Sequence, residues 1–588
     1  MIADIVFDIP IDHAFSYAVP AGLGVSRGQR VSAPLHGRSR IGVVVALREG
    51  DATSLKPLQR AVEPVPVLSD AALELTRWAA RESLSSWGST LLSLLPPPPR
   101  PSAAETVSPP AHPPPGPAHE PELWTDHRRE ARLAEHLERE AGAALVVAPD
   151  REAAARWARR LDAARLDSGV PEPERRRAWF AASRGKSRVV VGTRSALLAP
   201  LPPPATLALI DEHDPAHKPP GAPRLHSRDL LLRRAALDGS RLLLLSATPS
   251  VETWWRAQDG QISRAETAAG PWPQILTADT RGILRNHPLT LPLTRAIEDS
   301  TKCGRRAALI VSRRAAALAC DDCGAILRCP DCGVPQALSR DRRGLRCPLC
   351  ARVDAPPDHC GGCGGHRLSP FGWDAERVQT SVVRRFPRLT VSRQNLEAQV
   401  VIGTPALLRV LPTRSVGCVG FVALDGMLRV PDFRAGERTW ELLWAAAETV
   451  MPDGRVVVQT QHPEHYAVRT VQAQDHAGFY KEELRFRAEL GYPPFRRLCE
   501  VSARAREDTR ARALADECAA ALRGIASLTV YPPASASPAG ARNRRWRFVV
   551  KGPAGLPHLL APALAPLLGK RRGAAGMVEV EMDPQANG

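Results

Sequence analysis

The chain has 588 residues, with 79 Lys and Arg against 62 Asp and Glu, for a formal net charge of +17. That length calls for several domains, and the positive balance favours a polyanionic partner such as nucleic acid. No apolar run approaches the length of a membrane span, about eighteen residues, and Met1 opens no secretory leader, so the sequence predicts a soluble intracellular protein with no membrane contact.

The first segment reads as a small β module. Short β-branched runs at Ile2–Phe7 and Arg40–Leu47 are separated by Gly and Pro punctuation. Ser69 and Asp70 are placed to cap a helix on which Leu75, Trp78, Ala79 and Trp87 recur at broadly helical spacing. Residues 96–121 are rich in Pro, Ala and Ser and predict an extended linker. From about Trp124 an amphipathic helical run reaches Ala141. Apolar strands at 144–149, 189–193, 207–211 and 242–249 then alternate with helical stretches, which is the pattern of a parallel α/β sheet. A second such unit spans about 285–470, with strands at 307–312, 400–404, 420–425 and 455–460.

Four Cys-x-x-Cys pairs interrupt that second unit: Cys320/Cys323, Cys329/Cys332, Cys347/Cys350 and Cys360/Cys363. Two residues between ligands form a knuckle that turns both sulfurs toward one metal, so eight thiolates suit two tetrahedral zinc ions. A disulfide framework belongs to small secreted domains, and a thioredoxin-like site needs one pair rather than four. The middle pairs have nearly the spacing of a zinc ribbon, which leaves the outer pairs to share the second ion. A cross-braced arrangement stays open on spacing alone. Cys303, Cys418, Cys499 and Cys518 read as ordinary buried thiols.

Motifs over almost the whole length carry a resemblance. They include FSY near residue 15, RVSAPLHGRSRIGVVV (30–45), VVVGTRSALLAP (189–200), LIDEHDPAHK (209–218), LLSATPSVET (244–253), LDGMLRVPDFRAGER (424–438) and FYKEELRFRAELGYPPF (479–495). In this order, with the cysteine block, they resemble the PriA (primosomal protein N′) family of bacterial replication-restart proteins, which are superfamily-2 DNA helicases. The resemblance implies nested zinc sites, with Cys320, Cys323, Cys360 and Cys363 on one ion and Cys329, Cys332, Cys347 and Cys350 on the other. It also implies a pocket for the 3′ end of a nascent strand, to which Phe15, Ser16, Tyr17, Gly37 and Arg60 correspond. There an aromatic would stack on one nucleotide beside a cation. Ser16 stands where the family has Asp, which weakens recognition of the 3′ hydroxyl.

The departures fall on the ATPase. The one candidate phosphate loop, Arg184-Gly185-Lys186-Ser187, has Phe180 where the first glycine is needed. It also runs into a strand rather than opening a helix. The family's Asp-Glu-Glu-His box is shortened to Asp211-Glu212-His213, so Asp211 and Glu212 read as vestigial. The segment 444–454, WAAAETVMPDG, carries none of the arginines of the last helicase motif, and GTPALLRVLP (403–412) replaces the preceding one. The family's winged-helix domain gives way to the Pro-rich linker.

Retained motifs have plain readings. SATPS (246–250) serves as a strand-end turn joining the lobes, and GTRSAL either touches a phosphate through Thr193, Arg194 and Ser195 or is a structural loop. His213, His217 and His226 do not have metal-site spacing, and HPEH (462–465) lacks the helical turn of HExxH. NRRWRFVVK (543–551) is either a solvated strand or a DNA-binding stripe, with Arg545 and Arg547 on one face. KRR (570–572) reads as an exposed loop.

The expected architecture is multidomain α/β. A β-rich N-terminal domain with trailing helices (1–95) and a linker (96–121) precede two degenerate RecA-like lobes (122–275 and 285–470). A two-zinc-ribbon insertion (318–368) lies in the second lobe, and an α+β C-terminal domain (471–588) follows. The expected function is replication restart: recognition of stalled or abandoned forks and reloading of the replicative helicase, without helicase activity of its own. Expected partners are forked or branched DNA, primosome and helicase-loading proteins, and single-stranded-DNA-binding protein, in the bacterial cytoplasm. Two structural zinc ions are expected as cofactors, and ATP with Mg²⁺ is not. The competing readings are an active 3′→5′ helicase with a noncanonical nucleotide site and a zinc-ribbon adaptor for other proteins.

Overall fold

Alternation of apolar and polar residues over the first sixty positions builds an antiparallel sheet in order β2-β1-β4-β3-β5. Its strands are β1 (Ile2–Phe7), β2 (Phe15–Ala18), β3 (Arg30–Leu35), β4 (Arg38–Arg48) and β5 (Arg60–Ala61). Ala3, Ile5, Phe7 and Tyr17 fill one face together with Val31, Ala33 and Val44. The sheet curls until its edges meet, where the Ala18 amide donates to Lys56 O at 3.0 Å and the Leu58 amide to Ala18 O at 2.9 Å. This is a computed structural model, and it describes every residue except 99–118, 266–269, 282–286, 312–316, 321, 324, 332, 334, 339–343, 348–351, 372, 431, 538–541, 569–575 and 586–588. Most of the Pro-rich linker, Cys332, Cys350 and the KRR run therefore lie outside the described residues.

Two helices follow, α1 (Asp70–Glu82) and α2 (Trp87–Ser93). Ser69 caps α1 by accepting from the Ala72 amide. Trp87 does not continue that helix, contrary to the helical spacing. Leu84 turns into the left-handed region at φ 52, and Ser86 caps a second helix by accepting from the Ser89 amide. Leu73 and Leu91 share one core with Trp179, Phe180 and Leu198, so the N-terminal module and the first α/β unit are packed as a continuous body.

That first unit comprises β6 (Glu122–Trp124), α3 (Arg129–Arg139), β7 (Ala144–Val147), α4 (Arg151–Leu161), β8 (Ala164–Leu166), α5 (Glu172–Ser183), β9 (Val189–Gly192), β10 (Thr206–Ile210), α6 (Ser227–Asp238), β11 (Arg241–Leu245), α7 (Val251–Gln258) and β12 (Ser263–Arg264). The sheet runs β12-β6-β11-β10-β7-β9-β8, with parallel pairing throughout. The helical run expected from Trp124 needs correction. Glu122–Trp124 is a strand beside β11, and the helix begins only at Arg129.

The second unit is another parallel sheet, ordered β13-β23-β22-β14-β21-β20. Its elements are β13 (Gln274–Asp279), α8 (Leu291–Lys302), β14 (Ala307–Ile310), α9 (Ala375–Arg385), β20 (Val391–Ser392), β21 (Val400–Gly403), α10 (Leu407–Val410), β22 (Val416–Phe421), α11 (Asp425–Leu428), α12 (Ala435–Thr449), β23 (Val450–Thr460), α13 (Tyr466–Gln472) and α14 (His476–Leu490). Between β14 and α9 the chain leaves for a separate antiparallel sheet, ordered β18-β17-β16-β15-β19. It is made of β15 (Ala317–Cys320), β16 (Ala337–Leu338), β17 (Leu345–Arg346), β18 (Val353–Asp354) and β19 (Leu368–Phe371). The strand expected at 420–425 begins earlier, at Val416, and ends at Phe421, because Asp425 already opens a helix.

The C-terminal sheet contains β24 (Arg497–Ala505), β25 (Thr529–Val530), β26 (Ala534–Ser535), β27 (Arg544–Gly552) and β28 (Met577–Met582), packed on α15 (Asp508–Arg523) and α16 (Leu556–Leu568). Cys418, Cys499 and Cys518 are buried, but Cys303 is exposed at the C-cap of α8, so the expectation of a buried thiol fails there. Among the described residues, no helix is long and apolar enough to cross a membrane.

Candidate functional site

The cysteine insertion is built from a repeated local turn. The Cys320 amide donates to Ala325 O, the Cys347 amide to Arg352 O and the Cys360 amide to Gly365 O, each at 2.8 Å. Gly333 and Gly364 adopt φ near +70, where a side chain would be strained. Their amides donate back to Cys329 O and Cys360 O at 2.8 and 2.9 Å. In the two outer pairs, Cys320/Cys323 and Cys360/Cys363, the turn brings both sulfurs together.

Cys320, Cys323, Cys360 and Cys363 converge, with all four sulfurs within 4.8 Å of one another. Cys320 Sγ lies 3.6 Å from Cys363 Sγ, and Cys323 Sγ lies 3.6 Å from Cys360 Sγ. A disulfide needs about 2.05 Å, whereas the edge of a zinc–thiolate tetrahedron is about 3.8 Å, so the spacing fits a metal and not a bond. The Gly362 and Cys363 amides donate to Cys360 Sγ and bring its thiol down to about 7, the side from which thiolate ligation proceeds. These four residues could hold a zinc ion. Cys329 and Cys347 are both buried in the same module; their pair-mates, Cys332 and Cys350, are outside the described residues.

In the N-terminal module, strand alternation splits the FSY segment between two faces. Tyr17 is 4% exposed and donates its hydroxyl to Pro34 O at 3.0 Å, and its burial raises its pKa. Its ring lies in the core of the module. Phe15 packs edge-on to Phe7 at 5.9 Å. Ser16 faces outward, where register sets it opposite Asp4, and its hydroxyl donates to Asp4 Oδ1 at 2.7 Å. Arg48 joins them, with Nη2 3.0 Å from Ser16 Oγ and Nε 3.2 Å from Asp4 Oδ2. Partial burial pushes the Asp4 carboxyl up, but the bonds from Arg48 and Ser16 outweigh it and hold the group below its ordinary value. Gly37 sits at φ +76 in the β3–β4 turn, and Arg60 is exposed on β5. Asp4 and Arg48 are residues that motif matching does not find. The available signal is an acid placed within the apolar strand IADIVF.

The residues of the expected nucleotide site are committed elsewhere. Gly185, at φ +68, follows the C-cap of α5 and leads into β9, so Arg184–Ser187 is a helix-to-strand turn with no helix N-terminus after it. The Glu212 side chain is fully buried and accepts from Arg228 Nη1 at 2.8 Å, the Ser250 amide at 3.0 Å and hydroxyl at 2.7 Å, and Thr253 Oγ1 at 2.6 Å. Burial pushes its carboxyl up, yet Arg228 and these donors outweigh that and depress it. SATPS is thus tied to the Asp211-Glu212 corner, where Asp211 adopts φ 49. Arg194 donates to Ala222 O, and Ser195 to Leu166 O at 2.6 Å, both structural uses of GTRSAL. His213 bonds Ser246 Oγ, His217 bonds Ile210 O, and His226 and His465 cap helices.

Two regions of the sequence match domain families. Residues 4–96 match the PriA 3′DNA-binding domain (3′BD), and residues 488–585 match the primosomal protein N C-terminal domain. The replication restart protein PriA of Bacillus subtilis (strain 168) is 27% identical over 65% of this chain and 52% of that protein. That of Treponema pallidum (strain Nichols) is 26% identical over 87% of each. The probable replication restart protein PriA of Deinococcus radiodurans is 30% identical over 68% of this chain and 47% of that protein. The match thus spans about half the length of two of these relatives and most of the third. With PriA-type domains at both ends and PriA relatives aligned across the stretch between them, the chain belongs to the PriA family of replication restart proteins.

Proposed function

We propose that this chain recognises stalled or abandoned replication forks and promotes reloading of the replicative helicase, without unwinding DNA by its own ATP hydrolysis. The match of residues 4–96 to a 3′ DNA-binding domain carries the reading. Net charge of +17 supports a nucleic-acid partner. In the proposal, forked or branched DNA is the ligand, and primosome proteins, the helicase loader and single-stranded-DNA-binding protein are the partners, in the bacterial cytoplasm. Phe15, Ser16, Tyr17, Gly37 and Arg60 belong to the DNA-end site, with Ser16 acting through Asp4 and Arg48. Two zinc ions hold the cysteine module in nested pairs.

The absence of a motor in this reading rests on the fate of Glu212. An ATPase base must be free to meet water, and Glu212 accepts four hydrogen bonds inside the protein. The deciding experiment is ATP turnover by the zinc-loaded protein, with and without a fork carrying a 3′ leading-strand end. Fork binding without stimulated turnover is expected. Stimulated turnover that disappears in Asp211→Asn overturns the proposal.

A further inference from the structure

Ligands of parallel α/β sheets lie beyond the carboxyl ends of the strands, and anions are received where a strand passes into a helix N-terminus. In the first unit that junction is the turn from β6 into α3, only Thr125 to Arg128 in length. Asp126 occupies it. Its carboxylate accepts from the Arg128 amide at 2.9 Å and from Arg132 Nη1 at 3.3 Å, and its carbonyl accepts the Arg129 amide at 3.1 Å. The Arg128 and Arg129 amides, two donors that a phosphate could use, are thus taken within the turn, beside a carboxylate.

Arg129, in the first turn of α3, then crosses to the second unit. Its Nη1 and Nη2 lie 2.9 and 3.0 Å from the two carboxylate oxygens of Glu448, near the end of α12 and 319 residues away in sequence. The side chains are 12% and 21% exposed. Asp211 and Glu130 face the guanidinium, and His213 and His476 face the carboxylate. Burial disfavours both charges, but their mutual attraction outweighs it, keeping Glu448 depressed and Arg129 raised.

We propose that the Arg129–Glu448 pair is a built-in substitute for a bound nucleotide: it ties the first turn of α3 to the end of α12 and holds the two parallel sheets in one arrangement, with no ligand cycle. The inference rests on the reading that the chain works without ATP hydrolysis, but it concerns the interface and is tested there. A bidentate, desolvated pair is geometrically specific, and removing one partner strands the other charge in a poorly solvated site.

The experiment compares Arg129→Gln, Glu448→Gln and the charge swap R129E/E448R with wild type in the full zinc-loaded chain, read by amide exchange in residues 125–139 and 435–450. Each single variant is expected to speed exchange in both segments by about ten-fold, because loss of a coupled pair loosens both partners. The swap is expected to recover a substantial part of it, and millimolar Mg-ATP to leave the wild-type pattern unchanged. The proposal is overturned by single variants that exchange like wild type, by loosening confined to the mutated segment, by a swap no better than the singles, or by protection of residues 125–130 with Mg-ATP. Should Glu448→Gln fail to fold, the swap and Arg129→Gln still close the comparison. Wild-type ATP turnover on forks would defeat the functional reading and, with it, the claim that the pair replaces a nucleotide, even where the two segments remain coupled. Absent coupling in an ATP-inert, fork-binding protein would defeat this inference alone.

Discussion

At the scale of single residues, charges that look free in the sequence are mostly committed to partners. Arg545 and Arg547, a possible DNA stripe, share one face of β27, as alternation requires. There they converge on the carboxylate of Glu500, at 2.6 and 3.1 Å. Register sets Glu500 opposite Val549, two residues beyond Arg547 along the same face, so strand pairing places the carboxylate within reach of both arginines. Ser16 shows the opposite trend. Without an acid of its own it borrows Asp4 from the next strand, and Arg48 adds a cation suited to a neighbouring phosphate. If this trio reads the DNA end, Asp4→Asn should lower preference for a 3′-hydroxyl over a 3′-phosphate fork by about ten-fold, the scale of one charge-assisted hydrogen bond. Arg48→Ala should weaken binding to both. Binding titrations with the two fork ends check this, and an unchanged preference in Asp4→Asn removes the trio from the site.

Among elements, the cysteine knuckle is the most legible because its geometry is local. Two residues between sulfurs and an amide bond back to the chain suffice to form it, with a glycine after the pair at Gly333 and Gly364. Pairing of knuckles is not local, and the approach of Cys320/Cys323 to Cys360/Cys363 depends on β15 lying against β19. Replacing Cys329 and Cys332 by Ser should release about one zinc per chain and leave the outer four-sulfur site loaded. Metal analysis of the purified variant measures it, and release of both ions would mean that the module folds as one metal-dependent unit. Strand β6 was the least legible element. Three residues behind Pro121 give no period to read, and only pairing with β11 and β12 stabilises them.

Over the whole molecule, the α/β units are joined through buried charge as well as apolar packing. Arg434 and Arg487, in α12's N-cap and α14, bind Glu252 in α7 together with Glu437. Tyr480 donates to Pro249 O, which anchors the SATPS turn to α14. The C-terminal sheet reaches back as well: Lys218 donates to Met582 O and Asp583 O, and Arg497 meets Glu82 of α1 at 2.6 Å. Glu212, Glu252, Glu437 and Glu448 all have carboxyls held below the ordinary value of 4.5, because adjacent arginines outweigh the effect of burial. Groups depressed in the fold contribute stability that is present above the unfolded value and lost as pH falls toward the folded one. Glu212→Gln should therefore cost about 3 kcal/mol at pH 7, the scale for breaking a buried pair. The gap to wild type should narrow as pH falls below about 4.5, where the unfolded carboxyl protonates. Urea titrations across that range test the sign, and a gap constant from neutral to acid pH would show Glu212 to be uncharged in the fold.

Sequence by itself determined the cysteine knuckles, most of the β-branched strands and the helix cap at Ser69, because each depends on residues within a turn or two of one another. It also identified the fate of Gly185-Lys186-Ser187, since a following strand cannot supply a helix N-terminus. Tertiary structure alone decided which charges meet. Asp4, Ser16 and Arg48 lie on three strands, Glu500 lies opposite a strand more than forty residues away, and Arg129 finds Glu448 across 319 residues. Such pairs follow from register and from the packing of one sheet against another, and neither leaves a periodic trace along the chain.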